Sequence, residues 1–172
     1  MDAQSFTYDA SAAALTANAY TRAGYTFTGW NTDSDGSGTS YADKADVSNL
    51  TAEADGTVTL YAQWTLNPVT YFFVRQTAND CIKMSWINPA TANALTTTIT
   101  YNVNGNTEKK TLMVGSSGTV ATLTTFTTAE YEFSVVTSDG TLTSSAKTAS
   151  YKAHMNLLDA LTVGGTPYRN CS

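Results

Sequence analysis

Few side chains in this chain are able to carry nucleophilic or acid–base chemistry. Its single histidine is His154, and its two cysteines are Cys81 and Cys171. A serine or cysteine nucleophile needs a histidine, or a substitute base, within hydrogen-bonding reach in a pocket. No base lies near Cys81 along the sequence, and His154 falls at the predicted edge of a domain. We interpret His154 as a solvated linker residue and predict that the chain has no catalytic residues.

Paired carboxylates are the second chemistry to consider, because two of them on either side of a glycosidic bond hydrolyse it. Four candidates occur close together in a stretch rich in Gly and Ser: Asp33, Asp35, Asp43 and Asp46. A short stretch of turn residues does not favour a deep cleft. We therefore predict solvated turn carboxylates rather than a catalytic pair.

The same stretch resembles the opening of a calcium loop. Asn31-x-Asp33-x-Asp35-Gly36 places oxygen ligands at alternate positions before a glycine turn. The bidentate acid of such a loop belongs at the twelfth position, which is Ala42, and Asp43 is one residue out of register. Asp-Gly and Ser-Gly pairs are also ordinary turn residues. The pattern favours a turn, predicts no metal ligands, and leaves a calcium-stabilised spacer as an alternative.

The two cysteines lie ninety positions apart, which is neither a disulfide framework nor a zinc pattern. Two interpretations stay open: a pair of unpaired thiols, or a disulfide that ties the C-terminal tail to the second half of the chain. Alternation along the strand predicted at 81–87 places Cys81 on the outer face with Lys83 and Ser85. An outward cysteine is the more easily oxidised one.

Composition limits the partners. The formal net charge is −5 and the basic residues are scattered, which excludes a nucleic-acid surface built from clustered Lys and Arg. No apolar run reaches the roughly 20 residues of a membrane helix, and residues 1–4 carry no signal-peptide pattern. We expect an excised piece of a longer, exported protein. Four aromatic residues are candidates for ligand contacts, although core packing or cross-strand pairing explains most of them: Tyr20, Tyr41, Tyr61 and Tyr71.

The positions of these residues depend on strands. Threonine occurs 32 times, and β-branched side chains favour pleated, half-buried surfaces. Alternation predicts strands at 24–30, 57–64 and 5–8, with a tight turn at 54–56. Trp30 falls out of phase with Tyr25 and Phe27 unless Gly29 occupies a bulge. After a linker at 65–68, alternating strands recur about every ten residues, the pattern of a β-sandwich. Residues 156–161 have a short helical pattern.

The first half resembles a known family. GYTFTGW at 24–30, DGSGTSY at 35–41 and TVTLYAQW at 57–64 are similar to the Listeria–Bacteroides repeat, also called the internalin-B B-repeat, over about residues 1–65. The resemblance implies a small β-grasp-like unit. Family members usually begin with one further strand, so we expect this repeat to lack its first strand and to leave a neighbouring edge unpaired.

The second half resembles a divergent fibronectin type III domain. IKMSWINP at 82–89 is similar to the family's B strand, ITYNV at 99–103 to its C strand and YEFSV at 131–135 to its F strand, with Tyr131 placed for a tyrosine corner. A related immunoglobulin-like sandwich stays open. The predicted fold is mostly β, with a repeat at 1–66, a sandwich at 67–153 and a tail or further domain at 154–172.

Both resemblances imply a non-catalytic module of a secreted or surface-anchored bacterial protein. Such a module acts as a spacer and an interaction surface, without cofactors. Its implied partners are host or matrix proteins, or cell-wall and glycan components, and its location is extracellular or attached to the cell wall. The alternative is an accessory, carbohydrate-binding region of a secreted hydrolase. The sequence does not identify the ligand-binding residues.

Overall fold

The computed structural model describes residues 1–78, 81–115, 118–124 and 127–154, and all of its regular elements are strands. The described chain divides into two compact units, Met1–Thr65 and a second unit from Leu66 onward. No helix that would cross a membrane occurs in these ranges. The strands are β1 (Ala13–Ala14), β2 (Tyr25–Asn31), β3 (Ser40–Tyr41), β4 (Asp46–Val47), β5 (Tyr61–Leu66), β6 (Thr70–Ala78), β7 (Cys81–Ile87), β8 (Thr96–Val103), β9 (Lys110–Val114), β10 (Val120–Leu123), β11 (Glu130–Ser138) and β12 (Lys147–Lys152).

The first unit is built on a three-stranded sheet in the order β3-β2-β5, with a separate two-stranded ladder of β1 and β4. Its buried core consists of Leu15, Trp30 and Val47, and partly buried side chains such as Phe27 and Leu60 pack against it. Both pieces of sheet are short, so little sheet covers this core.

Gly29 brings Trp30 into that core. It has a φ of +140°, and a Cβ atom at this position would lie 2.7 Å from the carbonyl oxygen of Tyr41. Because only glycine tolerates this conformation and approach, the strand changes phase here. Trp30 then packs edge-on against Phe27, with ring centroids 5.1 Å apart. The predicted irregularity at Gly29 is confirmed.

Two strand predictions in the first unit are wrong in part. Residues 5–8 form no strand; the chain instead turns there, and the amide of Ala10 donates to the carbonyl oxygen of Thr7 at 3.3 Å. The strand predicted at 57–64 begins only at Tyr61. Its predicted alternation is nevertheless present, because burial alternates through residues 57–62. Residues 57–60 lack a neighbouring strand to pair with, and periodicity alone does not report this.

The second unit is an antiparallel β-sandwich. One sheet has the order β10-β7-β6 and the other β12-β11-β8-β9, and one core lies between them that includes Ile82, Met84, Trp86, Ile99 and Phe133. This strand order is the one expected for the predicted fibronectin type III-like sandwich, and the mostly β fold is confirmed. The connection from β8 to β9 begins with a turn at Asn104 and Gly105, both with positive φ, and the amide of Asn106 closes this turn by donating to the carbonyl oxygen of Val103 at 3.0 Å.

Tyr131 forms the predicted tyrosine corner. Its hydroxyl accepts a hydrogen bond from the amide of Thr127 at 3.0 Å and donates to the carbonyl oxygen of the same residue at 3.3 Å. This contact fixes the chain where it enters β11. The core tryptophan of this unit, Trp86, donates from its indole nitrogen to Asn88 Oδ1 at 2.8 Å.

The predicted outward position of Cys81 is wrong. Cys81 is 1% exposed and lies beside the equally buried Ile82. Its strand pairs with β6 through a register shift between Gln76 and Ala78, where Ala78 faces Cys81. An irregularity of this kind breaks the alternation of the two faces. Lys83 and Ser85, beyond the shift, do follow the predicted alternation.

Candidate functional site

A groove lies on the first unit. It has a volume of about 1180 Å³ and is lined by residues 1–8, 49–51 and 53–62 together with Leu15, Thr16, Tyr20 and Trp30. Pockets for single small molecules measure roughly 300–1,000 Å³. The groove is therefore large enough for an elongated ligand.

Trp30 supplies the floor of the groove. The residue is 7% exposed, and its indole Nε1 is buried without a hydrogen-bond partner among the described residues. A buried indole N–H normally finds an acceptor, and leaving it unpaired is destabilising. The first unit thus contains one buried donor that has no partner among the described residues.

Three tyrosines stand around this floor. Tyr8, Tyr20 and Tyr61 are 58%, 48% and 42% exposed, and all three line the groove. The ring of Tyr20 meets Trp30 edge-on at a centroid distance of 6.4 Å. Tyrosine combines a large apolar face with a polar tip, and it is enriched where proteins bind ligands. Together with Met1, these are the exposed large hydrophobic side chains identified in the first unit, and they gather at one place.

One wall of the groove is an extended segment without a partner strand. Along Thr57–Ala62 the threonines and Tyr61 are exposed, and Val58, Leu60 and Ala62 are half-buried. In the described part of the chain, no hydrogen bond joins the backbone of Thr57–Leu60 to another residue. The following strand, β5, is an edge strand of its sheet. Unpaired backbone of this kind is a template for an added strand.

The turn before this wall has a defined conformation. Gly56 donates from its amide to the carbonyl oxygen of Glu53 at 3.1 Å, and Asp55 has a φ of 55°. A Cβ atom on Gly56 would come within 2.9 Å of Thr51 Cγ2. The predicted tight turn at 54–56 is confirmed, and it holds two carboxylates, Glu53 and Asp55, at the rim.

The groove is acidic. Asp2, Glu53 and Asp55 line it, and no Lys or Arg side chain does. The α-amino group of Met1 also lies there and donates to the Tyr20 hydroxyl at 2.6 Å. Residues 1–65 contain eight acidic and two basic residues. The field at the groove therefore favours cationic ligands over anionic ones.

The calcium-like loop is closed by its own side chains. The Asn31 amide nitrogen points inward and donates to the carbonyl oxygens of Gly36 at 3.0 Å and Gly38 at 3.2 Å. Its Oδ1 accepts from the amide of Asp33 at 2.9 Å. Gly38 is required for this closure, because a Cβ there would lie 2.2 Å from Thr32 Oγ1. The Asn31 Oδ1 that a cation would need is thus engaged in the turn.

Two of the four candidate carboxylates, Asp35 and Asp43, accept hydrogen bonds from neighbouring residues. Asp35 Oδ1 accepts from the amide and hydroxyl of Ser37 at 3.0 and 2.7 Å, and these hydrogen bonds hold the pKa of Asp35 below its ordinary value of 3.8. Asp43 accepts from the amide of Asn18 at 2.8 Å, and Asp46 lies in β4 opposite Ala14. Within the described ranges, no three His, Cys, Asp or Glu side chains gather as metal ligands.

His154 is held by its backbone. Its amide donates to Gln76 Oε1 at 3.0 Å, and its carbonyl oxygen accepts from Gln76 Nε2. The residue is exposed. These contacts tie the end of the described second unit to β6 through the backbone of His154.

The structure gives the bonding state of one of the two cysteines. Cys81 is disulfide-bonded, and no free cysteine occurs in the described part of the chain. Cys171 lies outside the described residues, as do the predicted helical turn at 156–161 and nearly all of the predicted tail. The bond to Cys171 therefore stays a prediction.

The four candidate aromatic residues lie in different surroundings. Tyr20 and Tyr61 line the groove, Tyr41 packs against the first core, and Tyr71 is exposed in the second unit with a positive φ of 51°. Sequence reasoning missed Tyr8 and the unpaired Trp30 nitrogen. Spacing gave no signal for either, because the groove gathers segments that are distant along the chain.

Fold and site together define a class of protein: two small, successive β modules, one of which is a closed sandwich while the other carries an open groove. The chain belongs to the Listeria–Bacteroides repeat family, whose model matches residues 1–63 and 98–158. The first match agrees with the predicted repeat. The second falls on the sandwich, where Tyr131 and Phe133 have the same spacing as Tyr25 and Phe27 in the first unit. The family is typical of surface and extracellular proteins.

Similar proteins cover parts of the chain. A Gly-rich membrane protein of Evansella cellulosilytica is 44% identical over 52 residues, which is 30% of this chain and 6% of that protein. The chain thus spans a small part of that relative. The fn3 domain of the human collagen alpha-1(XX) chain has a TM-score of 0.48 at 18% identity, covering 54% of this chain and 89% of that one. A family 76 glycoside hydrolase from a bovine Bacteroides thetaiotaomicron strain has a TM-score of 0.45 at 18% identity, covering 51% and 20%.

Proposed function

We propose that this chain is a non-catalytic interaction module of a secreted or surface-anchored bacterial protein. The first unit binds a partner in its groove, and the sandwich acts as a spacer that carries it. The observation that supports this most directly is the gathering of exposed tyrosines around a buried, unpaired tryptophan N–H in a family typical of surface proteins. Binding sites combine apolar area with a few unsatisfied polar groups in this way.

The side chains capable of chemistry support binding rather than catalysis. The candidate carboxylates serve turns and backbone amides, and His154 is engaged only through its backbone. A general acid or base needs a position beside a substrate. In the described chain the groove contains carboxylates at its rim but no nucleophile with an adjacent base.

A binding array tests this function. The purified chain is labelled and applied to immobilised laminin, fibronectin, collagen and a panel of neutral glycans, beside an unrelated β-sandwich protein of similar net charge. We expect saturable retention on at least one of them that the control protein does not show. Retention on none, or turnover of a glycan or protein in the same panel, would contradict the proposal.

A further inference from the structure

The two outer faces of the sandwich differ in chemistry. The outward side of β12-β11-β8-β9 is polar, with two cross-strand rows formed by Thr100, Ser134 and Thr148 and by Asn102, Glu132 and Ser150. The sheet β10-β7-β6 carries large apolar side chains instead. The exposed large hydrophobic side chains found in the described part of the second unit all lie on its strands: Tyr71, Phe73, Ile87 and Val120.

The strand register brings these side chains together. Phe73 and Val120 both lie opposite Ser85, one on each side of the central strand β7. Met84 and Trp86, the neighbours of Ser85, belong to the core. Because side chains alternate between the two faces of a strand, the row of Phe73, Ser85 and Val120 points away from the core.

Two more side chains enlarge this row to a patch. Ile87 follows Ser85 by two residues along β7 and therefore points to the same face. Tyr71 is 69% exposed and lies at the register shift between Thr70 and Phe73, where a bulge re-aims side chains. Three strands spaced about 4.8 Å apart, with about 3.3 Å per residue, give a face of a few hundred Å². Apolar patches of roughly 300–600 Å² on a single chain are often functional.

Two cations border the patch. Arg75 and Lys83 lie directly opposite each other, two residues along from Phe73 and Ser85 and hence on the same face. Like charges in this position destabilise a strand pair, and neither residue has an ion pair in the described chain. The strands β6, β7 and β10 contain no Asp or Glu, although the whole chain has a net charge of −5. The face thus combines apolar surface with positive charge.

We propose that the outer face of β10-β7-β6 docks an acidic segment of a partner protein, in which Asp or Glu lies beside apolar side chains. The carboxylates pair with Arg75 and Lys83 and relieve their mutual repulsion, while the apolar side chains cover Phe73 and its neighbours. Branched Ile87 and Val120 favour a protein over a glycan, because they offer a sugar ring no flat face to stack on. This inference gives the sandwich a binding role of its own and does not depend on the groove.

Selection of random dodecapeptides displayed on phage tests this. The full chain and a triple variant, Phe73→Ser with Arg75→Glu and Lys83→Glu, are immobilised side by side. We expect enrichment on the parent chain, and not on the variant, of peptides that combine Asp or Glu with aromatic or aliphatic residues. An enriched peptide, once synthesised, should bind more weakly as salt rises and should shift the amide NMR signals of β6, β7 and β10.

Separate variants distinguish the apolar from the charged contribution. Phe73→Ser removes an exposed ring, so the peptide should bind about tenfold more weakly. Arg75→Glu with Lys83→Glu should weaken binding at least about tenfold, and a peptide carrying Lys in place of its acidic residues should bind to this variant. Lys110→Glu with Lys147→Glu makes the same charge change on the other sheet and should leave the affinity unchanged. The melting temperature of each variant is recorded to show that it is folded.

The inference is overturned if no peptide is enriched, if the enriched peptides are basic or lack apolar residues, or if the face variants bind them with full affinity. Heparin, an acidic glycan, is titrated in the same way. Tighter binding of heparin than of the peptides, lost in the same variants, would mean that the ligand of this face is a polysaccharide and that the inference is wrong.

Discussion

Each unit has a tryptophan in its buried core, and the two differ in the hydrogen bonding of the indole N–H. Trp86 of the sandwich is buried and donates its indole N–H to Asn88. Trp30 of the first unit is buried to a similar degree, but its N–H has no acceptor among the described residues. The sandwich thus satisfies the N–H of its core tryptophan, whereas the first unit leaves that of Trp30 without an acceptor among the described residues.

The surroundings of the two tryptophans explain this difference. Two sheets cover the core around Trp86 from opposite sides. The core around Trp30 is backed by one three-stranded sheet and the short β1–β4 ladder, and the extended residues 57–60 beside it lack a partner strand. A closed core contributes stability, and an open one leaves surface that is free for a ligand. Four predictions examine this comparison, from the largest effect to the smallest.

The closed core should be the more sensitive to truncation. Phe133 is fully buried between the sheets, and Phe133→Ala is expected to lower the free energy of unfolding of the second unit by about 3–5 kcal/mol. Leu15→Ala removes a side chain that borders the groove, and water can fill part of the space, so we expect about 2 kcal/mol. Urea unfolding followed by amide signals of each unit measures both. An equal or larger effect of Leu15→Ala would mean that the first core is as closed as the second.

The tyrosine corner should contribute about 1–2 kcal/mol to the sandwich. Tyr131→Phe removes the hydroxyl that bonds both backbone groups of Thr127. Tyr101→Phe is the matched control, because its ring packs in the same cluster at 6.2 Å from Tyr131 and no bond to its hydroxyl is found in the described structure. We expect the control to stay within about 0.5 kcal/mol of the parent chain. Thermal unfolding of both variants measures the loss of stability. Equal losses in the two variants would show that the hydrogen bonds of the Tyr131 hydroxyl do not stabilise the sandwich.

The described part of the sandwich also contains two buried side-chain oxygens without a partner, Thr97 Oγ1 and Asn102 Oδ1, and removing the first should be harmless. Thr97 Oγ1 is buried and unpaired within the described residues, whereas the cross-strand Thr137 bonds to Ser144 at 3.3 Å. Thr97→Val should be neutral or stabilise by up to about 1 kcal/mol, and Thr137→Val should destabilise by about 1 kcal/mol. Denaturant midpoints compare the two. A clear loss in Thr97→Val would indicate a hydrogen bond in solution.

The smallest effect concerns the turn after β2. Hydrogen bonds from Ser37 hold the pKa of Asp35 below 3.8. Stability from this contact is therefore present above the ordinary pKa and is lost as the pH falls through the lowered one. Ser37→Ala should raise the Asp35 pKa toward 3.8, as followed by the carboxyl carbon shift during acid titration. An unchanged Asp35 pKa in this variant would show that the lowered pKa does not depend on Ser37.

The sequence predicts much of the fold because local physics decides it. Gly29 allows the strand to change phase, so the sequence predicts that Trp30 faces the core. Tyr131 likewise occurs at the spacing of a tyrosine corner. The groove is not readable in this way, because residues 1–8, Trp30 and 53–62 meet only in three dimensions. Alternation at 57–60 correctly indicates which side chains face inward but does not reveal the missing partner. The predicted outward position of Cys81 is wrong for a related reason. The register shift next to it depends on how β7 pairs with β6.

The indole protons provide the most direct test of the central claim, that the indole N–H of Trp30 has no acceptor whereas that of Trp86 is hydrogen-bonded. The chain has three tryptophans, and NMR of the ¹⁵N-labelled full chain reports the temperature dependence of their indole N–H shifts, with the signals of interest assigned by Trp30→Phe and Trp86→Phe. The account predicts that the Trp86 proton behaves as hydrogen-bonded and that the Trp30 proton does not. A Trp30 proton that already behaves like that of Trp86 in the free chain would contradict it.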